Sequence, residues 1–471
     1  MSRLPSIFYK AHDGKSARRP TGFAILSVAL VLSGCAAMGD ASLPPLAESA
    51  AAVDTEISRS LVGDASQPAP PWLPQKPIDL SKPLDADMLG LIAVVANPDL
   101  RALRQQSGVA DAQVFAAGLL PDPTISLGVD FVIGGPATTL GNALAGALGL
   151  DLAALRTRQA TLSQAQSRAR QVRLDIAWAE WQTAAQARLL ASQIASQERQ
   201  IALLRDIERT ARDLFDRTGR AAGRGDISGD QLQAARLAEI DSIAQLRSTE
   251  VTLAQARGDL LRLLGLPPQT VLDLVPASYQ PIDVDCAALA DGASERLDVA
   301  ALRQGYAAQG SALRAATLTA FPLPGLSVNA SRNEGGNRFL GPALNLTLPL
   351  WNRNRGNIAV ERATAGVLRA EYEARLFQAR ADISTLCMLL GVGDRQLADA
   401  RSQLPGIERF AAATTRAARR GDLAQSIADN ARLTAWSKRL LAEQVQQANR
   451  ERIVGLEIAA GRKLESWGQG K

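Results

Sequence analysis

The stretch "LNLTLPLWNRNRGN" runs from Leu344 to Asn357 and changes pattern halfway. Leu344, Leu346, Leu348 and Leu350 alternate with Asn345, Thr347 and Pro349, which is the period-two pattern of a strand with one apolar face. At Trp351 the alternation stops. Asn352, Arg353, Asn354 and Arg355 form a polar, cationic knot closed by Gly356, and the following "IAVERATAGVLRAEYEARLFQARADI" reads as helix. An aromatic at the boundary with cations just beyond it is what a chain leaving a lipid bilayer requires. Trp351 would sit at the interface, Asn352 to Arg355 in the watery headgroup zone, and Gly356 would permit the turn into helix.

Three other segments share the alternation. In "TISLGVDFVI" Ile125, Leu127, Val129, Phe131 and Ile133 are apolar, with Ser126, Gly128 and Asp130 between them and Val132 the exception. "NALAGALGLDL" sets Leu144, Leu148, Leu150 and Leu152 against Ala145, Gly149 and Asp151, and "GLSVNAS" sets Leu326 and Val328 against Ser327 and Asn329. Each is near the ~9–11 residues of a membrane-spanning strand. Lipid outside and water inside demand this alternation, although a hairpin packed on a soluble core shows the same period. Four strands cannot close a barrel, and hydrocarbon tolerates no open edge. Strands in a membrane would therefore need further copies of the chain: eight from two chains, mostly filled by side chains, or twelve from three, with a solute-sized lumen.

The N-terminus reads as an export signal. Lys15, Arg18 and Arg19 precede an apolar run from Phe23 to Leu32, too short to span a bilayer as a helix, and Leu32-Ser33-Gly34-Cys35 follows. That string resembles the bacterial lipoprotein box, which implies cleavage before Cys35 and acylation of its thiol and new amine. Several acyl chains on one residue anchor stably, and Ala36 in place of Asp fits release to the outer membrane. Of the chain's 52 Lys+Arg and 47 Asp+Glu, the leader holds five bases and one acid, leaving 47 and 46. The mature charge is nearly balanced, so a nucleic-acid partner is not expected.

From Leu84 onward the chain repeats itself. "NPDLRALRQQ" (97–106) is answered by "RLDVAALRQG" (296–305), "LPDPTISLGV" (120–129) by "FPLPGLSVNA" (321–330), and "GRGDISGDQLQAARL" (223–237) by "RRGDLAQSIADNARL" (419–433). The offsets of 199, 201 and 196 residues describe a tandem duplication. The expected organisation is a signal peptide over 1–34, a lipid-anchored extended linker over 35–83, a first repeat over 84–265, a linker over 266–293, a second repeat over 294–465 and a tail over 466–471. Leu150 to Thr218 contains neither Gly nor Pro and is dense in helix formers. Helices of that length imply coiled-coil packing. In the second unit Gly391, Gly393 and Pro405-Gly406 are expected to bend or break the equivalent helix.

Catalysis is not expected. The mature chain has no histidine, since His12 leaves with the leader, and shows no phosphate loop or nucleophile elbow. No soft-metal ligand cluster is visible among Met38, Met88, Met388 and the thiols, and no cofactor is implied. Cys286 and Cys387 lie 101 residues apart without framework spacing. They read as two buried free thiols, with a disulfide chemically allowed in an export compartment if their Cβ atoms are adjacent.

Together these features resemble the TolC-like outer-membrane efflux factor family, over about residues 84–464. "LPLWNRNRGNIAVERA" (348–363), the proline-led strands at Pro121 and Pro322, and the paired "RGD" tips carry the resemblance, and "NRNRGNI" is closest to the heavy-metal efflux branch. The resemblance implies a mostly α protein with membrane β: a homotrimer whose twelve-stranded outer-membrane barrel, four strands per chain, continues into a coiled-coil tunnel across the periplasm. Such proteins are passive conduits that meet a periplasmic adaptor and an inner-membrane pump. Arg224-Gly225-Asp226 and Arg420-Gly421-Asp422 then match the helical tips where the adaptor docks. By chemistry alone the same residues are helix-ending glycines and capping aspartates. The family's acidic entrance rings fall here on Ile427 and Asn430, with Asp429 beside them as the residue three copies could bring into a ring. A periplasmic coiled-coil adaptor or scaffold lipoprotein would also explain the anchor and long helices, but not a strand pair in each unit.

Overall fold

The computed structural model describes residues 82–131, 143–275, 279–333 and 336–464. The leader, the lipid box with Cys35, Val132 and Ile133, and the 466–471 tail lie outside the described residues. In chain order the elements are α1 (Ala86–Ala96), α2 (Pro98–Gly118), β1 (Thr124–Asp130), β2 (Ala143–Leu150), α3 (Leu152–Gly223), α4 (Gly229–Leu263), α5 (Cys286–Gly292), α6 (Leu297–Thr319), β3 (Gly325–Arg332), β4 (Arg338–Asn345), α7 (Arg355–Arg420) and α8 (Gln425–Ala460). The series α2-β1-β2-α3-α4 recurs as α6-β3-β4-α7-α8.

The helices set the scale. α3 has 72 residues and α7 has 66, or roughly 110 and 100 Å at 1.5 Å per residue. Asp151 starts α3 by accepting from the Ala153 and Ala154 amides at 2.9 and 3.0 Å, which satisfies two of the helix's orphan donors. α3 packs along α4, α6 and α8, and α7 packs along α8 and α6. Alanines such as Ala184, Ala187 and Ala191 line the buried side of α3 and let neighbours approach closely. A Cβ on Gly90 of α1 would come 3.3 Å from the Ala184 carbonyl oxygen. Leu89, Ile92, Ile194, Leu204, Leu253 and Leu260 build the principal core, and Ile383, Leu456 and Leu289 a second one. The linker between repeats folds back on the start of the ordered chain: the Leu84 amide donates to Asp273 O at 2.8 Å and the Val275 amide to Leu84 O at 3.0 Å.

The four strands form one antiparallel sheet in the order β1-β2-β3-β4. Leu346 to Leu350, expected as strand, lie outside it, because β4 ends at Asn345 opposite Gly325. Continuing that register would set Leu346 and Leu348 opposite Pro324 and Pro322, which have no amide hydrogen to donate. Leu152 likewise belongs to α3 rather than to β2.

Two further expectations are corrected. α7 continues unbroken through Gly391, Gly393, Pro405 and Gly406. Pro405 lies on the exposed side, where water can satisfy the carbonyl its ring leaves unbonded. Gly393 is a packing slot instead of a break: a Cβ there would meet the side chains of Asn449, its Cγ at 2.9 Å, and Arg452. Asn449 in turn donates to Asp394 at 3.0 Å, and the Tyr279 hydroxyl donates to the same carboxylate. Cys286 and Cys387 are joined in a disulfide with Cα atoms 6.3 Å apart, stapling α5 to α7. Distance in sequence hid their adjacency.

Candidate functional site: sheet faces and helix tips

Antiparallel register puts the large apolar residues of all four strands on one face, Phe339 of β4 excepted. Ile125, Leu148, Val328 and Pro342 stand in one cross-strand row, and Leu127, Gly146, Ala330 and Leu340 in the next. Apart from Phe339, which pairs with Ser331, the opposite face is built of small and polar residues, with rows such as Ser126-Ala147-Asn329-Gly341 and Thr124-Gly149-Ser327-Ala343. The large apolar side chains are bare: Leu127 is 83% and Leu340 78% exposed. A soluble sheet would bury this face, since burying one Leu is worth about 1.5–3 kcal/mol. Neither β1 nor β4 has a second neighbour among the described residues, so both edges are open.

The sheet meets the helices at two junctions solved in different ways. After β4, Arg353 and Asn354 both adopt left-handed backbone, with φ of 46° and 52°. The turn expected of Gly356 is thus made by these two residues, and Gly356 lies within the first turn of α7. Non-glycine residues pay for this conformation with roughly 1–2 kcal/mol each. Asn354 offsets part of the cost by donating from its amide to Ala316 O of α6 at 2.8 Å, and the Arg355 amide closes onto Asn352 O at 3.0 Å. Trp351, 86% exposed, stands directly below the leucines. At the first junction Arg156 donates to Phe321 O at 2.5 Å and Arg158 to Gly118 O at 3.0 Å, so cations close the base of the sheet on both sides.

Far from the sheet, the two RGD segments form the α3–α4 and α7–α8 tips with matching bonds. The Asp226 amide donates to Ala221 O and the Gly225 amide to Ala222 O, both at 3.0 Å; the Asp422 amide donates to Ala417 O and the Gly421 amide to Ala418 O, again at 3.0 Å. This is the Schellman closure, which needs a left-handed residue, and the glycines supply it with φ of 79° and 86°. Arg224 pairs with Asp226 at 2.8 Å and Arg420 with Asp422 at 2.9 Å. These exposed pairs orient the loops and add little stability.

Asp429 departs from the open-ring expectation. Its side chain is fully buried within the chain and ion-paired to Arg217 of α3. Gln425 donates to it at 3.3 Å, and Arg432 stands 3.9 Å away. Before any second copy is added, the carboxylate is already spent on an α3–α8 contact. Sequence reasoning missed Arg217, whose partner lies 212 residues away.

A charged cluster anchors the N-terminus of α6. Arg296 forks onto Asp298 with bonds of 3.0 and 2.8 Å, donates to Ala459 O at 2.7 Å and stacks 4.6 Å over Trp178. Arg375 of α7 reaches the same carboxylate at 3.0 Å. Burial pushes Asp298 up, but hydrogen bonds and charge from the two guanidiniums more than offset it and hold the carboxyl below its ordinary range. Glu457 is the opposite case: burial raises it, opposed by Arg188 at 2.6 Å. No group of three or more His, Cys, Asp or Glu able to hold a metal occurs among the described residues. No helix among them is long and apolar enough to cross a membrane.

No protein-family profile matches the sequence, and no curated protein matches it. Solved structures do. CusC, whose structures describe folding and transmembrane channel formation, is 16% identical with a TM-score of 0.62, covering 80% of this chain and 92% of its own. The CmeC outer membrane channel of Campylobacter jejuni is 15% identical with a TM-score of 0.63, covering 80% and 85%. The outer membrane protein VceC of Vibrio cholerae is 15% identical with a TM-score of 0.63, covering 81% and 97%. The chain therefore carries the fold of the TolC-like outer-membrane channels.

Proposed function

We propose that the chain is the outer-membrane conduit of a tripartite efflux system, passing small solutes, metal ions or drugs, from an inner-membrane pump and a periplasmic adaptor to the exterior. The observation that carries this is the sheet: one bare apolar face, one small polar face and two open edges. In hydrocarbon each unpaired edge group costs several kcal/mol, so the edges call for further strands. Three copies supply twelve, enclosing a wet lumen lined by the Ser, Asn, Gly and Ala face. The long helices continue that lumen into the periplasm, and their RGD tips are the adaptor surface. Cys35 adds a lipid anchor in the outer membrane. The protein works as a passive tube and performs no catalysis.

The test combines deletion of the gene with reconstitution of the purified oligomer. Deletion should sensitise cells either to zinc, cobalt, cadmium, copper or silver salts or to dyes, detergents and antibiotics, and the class affected names the cargo. In planar bilayers the oligomer should conduct and show heat-modifiable mobility. A flat sensitivity profile together with no conductance would reject the channel and favour a scaffold lipoprotein.

A further inference from the structure

The apolar face ends in a pair of like charges. Arg332, last residue of β3, and Arg338, first residue of β4, are direct cross-strand partners, and their register parity places both on the face of Leu326, Val328, Leu340 and Leu344. Cross-strand partners hold their Cβ atoms about 4.5–5.5 Å apart, and like charges so placed destabilise a hairpin. Both side chains are exposed, and neither has an ion pair among the described residues. Asp130, at the same end of β1, occupies a position of opposite face parity, across from Ala143.

The hairpin end holds the two arginines in place. The Asn333 amide donates to Asn337 O at 3.0 Å, the Asn337 amide to the Asn333 side chain at 2.9 Å, and the Gly336 amide to Asn333 O at 3.1 Å. Gly336 carries a φ of 84° that suits a glycine. Two guanidiniums side by side, each able to fork onto oxygens, form a cradle for a phosphate group.

Position selects the source of that phosphate. The four helices connected to strands, α2, α3, α6 and α7, join the sheet at its Thr124, Leu150, Gly325 and Asn345 end, so Arg332 and Arg338 sit at the far end. They lie six residues, or about 20 Å, along the strand from the Leu326 and Leu344 row. We propose that Arg332 and Arg338 bind the phosphate of a phosphorylated glycolipid in the outer leaflet of the outer membrane. This rests on the channel reading, which sets that end outward. The apolar face then meets acyl chains, and the arginines meet the headgroup at its rim. Insertion brings the pair a phosphate counter-charge, which favours one depth in the membrane.

The test uses the full-length oligomer in phosphatidylethanolamine nanodiscs carrying bisphosphorylated lipid A, its dephosphorylated form or phosphatidylglycerol, with retained lipids counted by native mass spectrometry. Wild type should retain bisphosphorylated lipid A over the dephosphorylated form on the order of tenfold to thirtyfold, two cations contributing near the surface. R332Q/R338Q should lose that preference. E334Q, which removes the carboxylate two residues after Arg332 in sequence, should keep or raise it. Because the wild-type comparison varies only the lipid, it decides the matter even where a variant fails to assemble. Equal retention of both lipid A forms, unchanged preference in the arginine variant, or displacement by free inorganic phosphate at low millimolar levels would overturn the site. An oligomer that inserts and conducts without phosphate preference refutes only this inference. One that never inserts refutes the channel as well.

Discussion

Asp429 separates two accounts of the helical tips, and replacing it decides between them. In the structure its carboxylate is fully buried while the side chain of Arg217 is 33% exposed. Removing one partner of a fully dry pair costs about 3–5 kcal/mol because the other charge is stranded. That range is too high here. Arg432 at 3.9 Å and Gln425 at 3.3 Å remain beside Asp429 when Arg217 is removed, and Arg217 keeps Asp213 at 3.1 Å when Asp429 is neutralised. We expect R217Q to cost about 1–3 kcal/mol and D429N about 1–2 kcal/mol. The double variant should be less damaging than the sum by roughly 1 kcal/mol. Hydrogen exchange on the purified protein reads this locally. Amides over residues 214–230 and 421–432 should exchange roughly tenfold faster for each 1.4 kcal/mol lost, with distant segments unchanged. An Asp429 open to the lumen would behave otherwise: D429N would shift the cation preference of the conductance, leave exchange unchanged, and combine additively with R217Q. That result would refute the buried-pair account and restore the entrance ring.

G393A should destabilise the α7–α8 contact by about 1–3 kcal/mol through overpacking against Asn449 and Arg452. G391A, whose added Cβ would meet only Arg395 at 3.9 Å, should instead be neutral or gain up to about 1 kcal/mol; thermal melts of the two variants make the comparison. The Cys286–Cys387 staple closes a loop of 101 residues, so C286S/C387S should lose roughly 2–5 kcal/mol, with reductant lowering the melting temperature of wild type and leaving the variant unmoved. Asp298 has a folded pKa depressed below its ordinary 3.8. Its stabilisation is therefore complete above that value and is lost as pH falls through the lower folded value. D298N should lower stability at neutral pH and flatten the acid limb of the stability curve, and an acid limb as steep as that of wild type would show that other carboxylates set it.

What could be read in the sequence was whatever repeats within a few residues. Alternation in "TISLGV" and "GLSVNAS" follows from the two-residue period of a strand, and that period is visible without knowing the partner strand. The tips were legible for the same reason, since a Schellman closure spends its bonds within six residues of chain and demands a glycine at one of them. Where a residue's meaning depends on a remote partner, local reasoning chose the commoner local meaning and was wrong. Gly393 resembled a helix breaker because glycine usually weakens a helix, yet its missing Cβ is filled by Asn449, 56 positions away. Asp429 reads as a candidate ring residue because nothing near it in sequence points to Arg217, which faces it across 212 residues.

The two ends of the sheet carry this distinction into function. At the helix-bearing end the sequence shows Trp351 and the cationic knot as neighbours in the chain, so the strand-to-helix junction there could be read at once. At the far end Arg332 and Arg338 are separated in sequence by residues 333 to 337 and look like two ordinary surface cations. Only the register reveals that they are adjacent and on the apolar face. Alternation within one strand can identify an amphipathic surface, but a binding pair on that surface exists only once strand pairing sets two such patterns side by side. The apolar face would survive a two-residue slip between β3 and β4, because side-chain parity is preserved. The arginine cradle would not, which makes lipid retention a more demanding readout of that register than the exposure of the leucines.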